Sequence, residues 1–203
     1  MHRDVGSFGG YGKMPSMGDF FRLNLSPDFV DPWDHWLRGS LFAARRALGE
    51  RWQTCYMSAP IWRFTLPAGL VGPRAAQGIL MPSVDRVGRE FPLTLVRLFA
   101  GQIDVALTDR SAAEFFPVLE ETALDTLSGE VPRETLAAQL DRLSWPAAQK
   151  GAASQVGIWS ALLPEGLQAL SVRGMPDETT FRVFLDPQGA WPSAIESACG
   201  ERP

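Results

Sequence analysis

The chain has 203 residues, of which 45% are hydrophobic and 21% charged, and a formal net charge of -4. Those values describe one ordinary globular domain, long enough to bury roughly 70% of its unfolded surface without disulfides or metals. A net negative charge argues against a nucleic-acid binder. No apolar run approaches the roughly 20 residues needed to cross a bilayer, and MHRDVGSFGG lacks the apolar segment of a signal peptide, so the expected location is cytoplasmic. Cys55 and Cys199 lie far apart and read as reduced, structural thiols. His2 and His35 are too few for a histidine-based metal site.

Taken in chain order, residues 5–12 have strand-like aromatic spacing interrupted by glycines, which mark a close backbone approach or a bulge. A turn built on Pro15 and Gly18 follows. The next segment reads as a helix capped by Asp31 and opened by Pro32, with Trp33, Trp36, Leu37, Leu41, Ala44 and Leu48 on one stripe and Gly49 as its stop. Residues 50–57 allow a further short helix. Trp62, Phe64 and Leu66 alternate with polar residues, so 62–66 is a strand, and residues 78–82 and 93–100 are apolar strands. The connection between those two exceeds a tight hairpin. Residues 111–128 read as a helix that Pro117 either kinks or truly begins, and 133–143 as a second. Residues 156–163 and 180–186 read as strands. No linker divides the chain. Strands on both sides of helices give an α/β class with a mixed sheet in a single domain.

The charge is uneven. Residues 1–100 carry 12 basic and 8 acidic side chains, whereas residues 101–142 carry 3 and 9. The acidic middle reads as solvated helix faces, with a partner-facing surface as the sharper alternative.

The glycine-rich stretch SFGGYGKMPSMGDFF, residues 7–21, is not a phosphate-binding loop. Five positions before Gly12-Lys13 stands Ser7 instead of glycine, and Met14 replaces the hydroxyl residue that would hold magnesium. Ser83 has no flanking glycines and no histidine follows it, and neither cysteine precedes a histidine, so hydrolase triads fail. Asp31, Asp34 and His35 share helical spacing, but capping and charge at a helix start account for the two acids. The loop in MPSVDRVGREFPL, residues 81–93, holds Asp85, Arg86 and Arg89 between two apolar strands, with Gly88 free to adopt a positive φ. Two readings stand: a structural loop with an Asp–Arg bridge, or a recognition surface whose arginine forks suit carboxylate or phosphate partners.

YGKMPSMGDF together with GILMPSVDRVGREFPLT resembles the TagF (ImpM) family of type VI secretion-associated proteins. DPWDHWL, WRF, GIWSALL and RGMPDETTF fit the same family, so the resemblance covers most of the chain. It implies a three-layer α/β/α sandwich around a mixed sheet. It also implies a cytoplasmic, non-enzymatic accessory factor without cofactors, which acts after translation as a negative regulator by binding a forkhead-associated (FHA) scaffold protein. Lys13, Asp19, Asp85, Arg86 and Arg89 are the candidate polar contacts or organisers of the binding surface, and Phe20 and Phe91 are expected in the core. The rival expectation is a small-ligand sensor or enzyme using Asp85, Arg86 and Arg89 as an anion site. A structural part of the secretion apparatus is a third.

Overall fold

The computed structural model describes residues 7–187. Its centre is a seven-stranded sheet built from β1 (Phe8–Gly12), β2 (Phe21–Leu23), β3 (Trp62–Leu66), β4 (Ala75–Met81), β5 (Leu93–Phe99), β6 (Val156–Leu163) and β7 (Gly166–Arg173). The spatial order is β2-β1-β5-β4-β3-β6-β7, and every pairing is antiparallel. This corrects the expected three-layer α/β/α sandwich around a mixed sheet. Parallel strands need crossover units, whereas β3, β4 and β5 form a meander and β6 and β7 a hairpin. The architecture is an open antiparallel sheet with helices packed against it.

The helices are α1 (Pro27–Leu48), α2 (Trp52–Ser58), α3 (Val105–Ala112), α4 (Phe116–Asp125), α5 (Arg133–Asp141) and α6 (Glu178–Leu185). α1 begins one turn earlier than Asp31 and Pro32 predict. Ser26 is its N-cap residue and Pro27 opens it, leaving Pro32 inside the helix. Pro32 lies one turn past the start and lacks the amide that would otherwise bond to the Asp28 carbonyl. Pro117 marks the start of α4, and Asp104 caps the separate α3 by accepting from the Leu107 amide at 2.9 Å. The expected strand at 180–186 is instead α6. Asp177 accepts from the Thr180 amide at 2.8 Å as its cap, and Phe181, Phe184 and Leu185 are buried at helical spacing. β2 and β7 escape sequence reading; β2 is only three residues long, and β7 is only half covered. Cys199 and His2 lie outside the described residues, and Cys55 is buried and free.

Alternate strand residues feed two main cores. Ala76 and Leu80 of β4 join Trp33, Leu37, Trp62, Phe64, Trp159, Phe181 and Phe184 in one cluster. Ile79 and Met81 join Leu93, Leu95, Phe116, Leu119, Leu136 and Leu140 in the other. Trp33 is fully enclosed, stacks with Phe29 at 5.5 Å, and donates from Nε1 to Thr94 at 2.9 Å. In the second core Arg63 grips Glu120 with two hydrogen bonds, 2.6 and 3.0 Å, tying β3 to α4.

An irregular strap, residues 143–153, connects α5 to β6. Gln77 anchors it by accepting from Trp145 Nε1 at 2.8 Å while donating to Thr65 Oγ1 at 3.0 Å and the Thr108 carbonyl at 3.2 Å. The Gln149 amide donates to Thr108 Oγ1 at 3.0 Å. Buried polar groups in this region are thereby partnered chiefly by one another.

Candidate functional site

Antiparallel pairing of β1 with β5 sets Tyr11 beside Thr94, so the end of β1 lies at the start of β5. The chain leaving β1 therefore arrives at the connection between β4 and β5. The two motifs singled out in sequence meet here, one as the 13–20 turn and the other as the 83–91 loop. Gly12 makes the approach possible. Its φ is +127°, and a Cβ there would stand 2.0 Å from the Pro92 carbonyl oxygen. A glycine is therefore required on both conformational and steric grounds.

The loop continues the β4–β5 hairpin. Val84 bridges Glu90, and the Phe91 amide donates to the Ser83 carbonyl at 3.1 Å. Asp85 organises its tip. Its Oδ1 accepts from the amides of Val87 at 3.1 Å and Arg89 at 2.9 Å, while its Oδ2 meets Arg89 Nε at 2.7 Å and Lys13 Nζ at 3.0 Å. Asp85 and Lys13 are both buried. Burial by itself would raise the Asp85 pKa. The Arg89 amide, the Lys13 ammonium, the Arg89 guanidinium and the Val87 amide together outweigh it and hold the carboxyl well below the usual range. Gly88 turns the tip with φ +83°. The turn and the loop are laced together: the Arg86 amide donates to the Met17 carbonyl at 2.8 Å, and Arg89 Nη2 to the Gly18 carbonyl at 2.6 Å.

Four of the five expected site residues thus come together, in two different roles. Lys13, Asp85 and Arg89 are organisers, engaged with one another. Arg86 is exposed at the tip, against Gly18, with no carboxylate partner among the described residues. Beside it Val87 is 69% exposed. Asp19 lies on the adjoining turn, exposed, and its Oδ1 accepts from the Phe20 amide at 2.8 Å. The Asp–Arg bridge of the structural reading and the exposed cation of the recognition reading are both present, on different residues.

Phe91 is buried as expected, whereas Phe20 is only half-buried. Phe20 and Phe91 meet edge to face at 4.7 Å, and Tyr11 joins both. Arg38 of α1 covers the two phenylalanine rings at 4.9 and 5.5 Å. Its Nε is fixed by Asp34 Oδ2 at 2.6 Å, and Asp34 also accepts from the Tyr11 hydroxyl. Burial and the Asp34 bond push the Tyr11 pKa up. Sequence reading missed Tyr11 and Arg38. The signal available was Asp34-x-x-x-Arg38, an i,i+4 pair, but its partners come from β1 and the loops. Asp34 is thus committed to structure, and among the described residues no cluster of three His, Cys, Asp or Glu could hold a metal ion. Ser83, the one serine weighed as a nucleophile, has a buried hydroxyl with no hydrogen-bond partner.

Fold and site together define an antiparallel α+β domain that displays a braced surface loop. Residues 9–143 match the family described as TagF N-terminal domain, Type VI secretion system-associated. The chain belongs to that family. The structure is similar to the crystal structure of PA0076 from Pseudomonas aeruginosa PAO1, with a TM-score of 0.80 and 30% identity over 91% of this chain and 96% of that one. No curated protein matches the chain. No helix among the described residues is long and apolar enough to cross a membrane.

Proposed function

We propose that this type VI secretion-associated chain is a non-enzymatic regulator that acts after translation, holding the secretion system inactive by binding a cytoplasmic FHA-domain scaffold. The observation that supports this reading is the tip of the 83–91 loop. It presents Arg86, which has no carboxylate partner among the described residues, and an exposed Val87 on a backbone already locked by Asp85, Lys13 and the Met17 carbonyl. A contact surface held in its bound shape loses little entropy on association, and arginine is enriched among the residues that anchor interfaces. Occlusion is the mechanism: a specific interface of roughly 1,200–2,000 Å² suffices to keep a scaffold from its other partners. The anion-site alternative is weakened because Asp85 and Arg89 are spent on each other, leaving Arg86 as the one cation of the three for a ligand.

Titration calorimetry of the chain against the FHA-domain protein of the same secretion system tests this. One-to-one binding is expected, weakened about tenfold by Arg86→Ala, or roughly 1.4 kcal/mol. Binding unaffected by Arg86→Ala and Val87→Ser moves the contact surface elsewhere. No binding at all overturns the FHA assignment.

A further inference from the structure

We propose that the cavity between the end of β5 and the 143–153 strap is an anion site that takes a phosphate-type oxyanion on Arg97 and Lys150. The cavity holds about 250 Å³, and Arg97, Phe99, Gln102, Ala147, Gln149 and Lys150 are among its lining residues. No aspartate or glutamate lines it. Its volume exceeds the roughly 30 Å³ share of one water several times over, so an oxyanion fits with part of the group that carries it.

Arg97 stands apart from the other enclosed arginine of the sheet. Arg63 has Glu120, whereas Arg97 has no carboxylate among the described residues. Its Nη1 donates to the carbonyls of Trp145 at 3.2 Å and Pro146 at 3.3 Å, and its guanidinium lies 5.2 Å from the centre of the Phe99 ring. Its Nε is shut off from solvent and has no acceptor among the described residues. Burial depresses its pKa, and no neighbouring charge acts against that. A half-buried cation that lacks a countercharge is costly, and with Nη1 on two carbonyls and Nε enclosed, Nη2 is the guanidinium nitrogen left to meet an oxyanion. Lys150 adds a second positive charge at the rim, its backbone fixed by the bridge to Ile103. Asp104, the acid next to Ile103, spends Oδ1 on the Leu107 amide as the cap of α3. Gln102 and Gln149 supply amide donors without charge. This site does not involve the 83–91 loop, so it stands or falls independently of the regulatory reading.

The full chain is titrated with inorganic phosphate, with O-phosphoserine and with acetate at constant ionic strength, following Tm and backbone amide shifts. Phosphate and O-phosphoserine are expected to raise Tm saturably. A response to both, with the monoester stronger, assigns an esterified phosphate; a stronger response to phosphate assigns the free ion. Amide shifts are expected at residues 97–102 and 147–150. Arg97→Gln removes the response. Because Arg97 also braces the strap, the exposed Lys150→Ala decides the matter, and weakens binding by about threefold or more. The proposal is overturned by absence of a saturable response, by acetate matching phosphate, by shifts confined to the 83–91 loop, or by unchanged affinity in Lys150→Ala.

Discussion

Asp85 is the residue on which the displayed loop depends. Its carboxylate has four donors, and removing it strands the buried Lys13 ammonium. Asp85→Asn is therefore expected to lower Tm and loosen residues 85–89 to amide exchange. The sign of its pH dependence follows from the depressed pKa. Stability from Asp85 is fully present above the ordinary carboxyl pKa of about 4 and is lost as pH falls below that toward the folded value. A Tm profile from neutral pH downward checks this: the acid-side loss of the parent chain should shrink in Asp85→Asn. Asp109 behaves oppositely. Burial raises its pKa, against the Thr65 hydroxyl and the charges of Arg63 and Arg110. Its stabilising contribution is greatest below the ordinary value and falls as pH rises through the folded one. Asp109→Asn, which keeps an oxygen acceptor for Thr65, is expected to raise Tm at pH 7. The gain should vanish below about pH 4, where both side chains are neutral.

At the scale of elements, α1 and β4 carry the load. The apolar stripe of α1 was legible as i,i+3 and i,i+4 spacing, but not which tryptophan it buries deepest. Trp33 is fully enclosed and bonded to Thr94, whereas Trp36 is half-buried and donates to the Pro176 carbonyl at 2.9 Å. Trp33→Ala is expected to cost about 3–5 kcal/mol by urea denaturation, and Trp36→Ala distinctly less. Equal costs would contradict the packing. In the centre of the sheet Gly78 lies so close to β5 that a Cβ would stand 2.1 Å from the Leu95 carbonyl oxygen. Gly78→Ala must push two central strands apart, and about 1–3 kcal/mol of destabilisation is expected from such overpacking. Local signals placed β1, β3, β4, β5, β6 and α5 because aromatic spacing, alternation, a continuous apolar run or helical periodicity marks each. They failed at α6, where the run Thr-Thr-Phe-Arg-Val has high strand propensity. The Asp177 cap and the burial of Phe181 and Phe184 against the tryptophan cluster override it.

At the scale of the whole molecule, the displayed loop is separate from what holds the fold together. Arg86 and Val87 contact no core cluster, so Arg86→Ala is expected to leave Tm within about 2 °C, less than the effect of 1 kcal/mol on a domain of this size. Thermal melting of the variant beside the parent checks it, and a larger drop would make Arg86 a brace of the turn instead of a contact. The acidic segment of residues 101–142 includes Glu120, turned inward to Arg63, and Asp109, enclosed beside Thr65, so part of that charge is structural and not solvated.

By itself the sequence determined where most strands and helices run, which residues form the apolar stripes, and the motifs that carry the family resemblance. Those are local properties, set by periodicity, capping and backbone freedom within a few residues. The tertiary structure decided that the sheet is antiparallel throughout, because strand direction depends on partners far along the chain. It decided that Lys13 and Arg89 share one buried carboxylate, and that neither Arg86 nor Arg97 has a carboxylate partner among the described residues. Pairing of charges across seventy residues is set by how β1 docks on β5, and no spacing in the sequence encodes that distance.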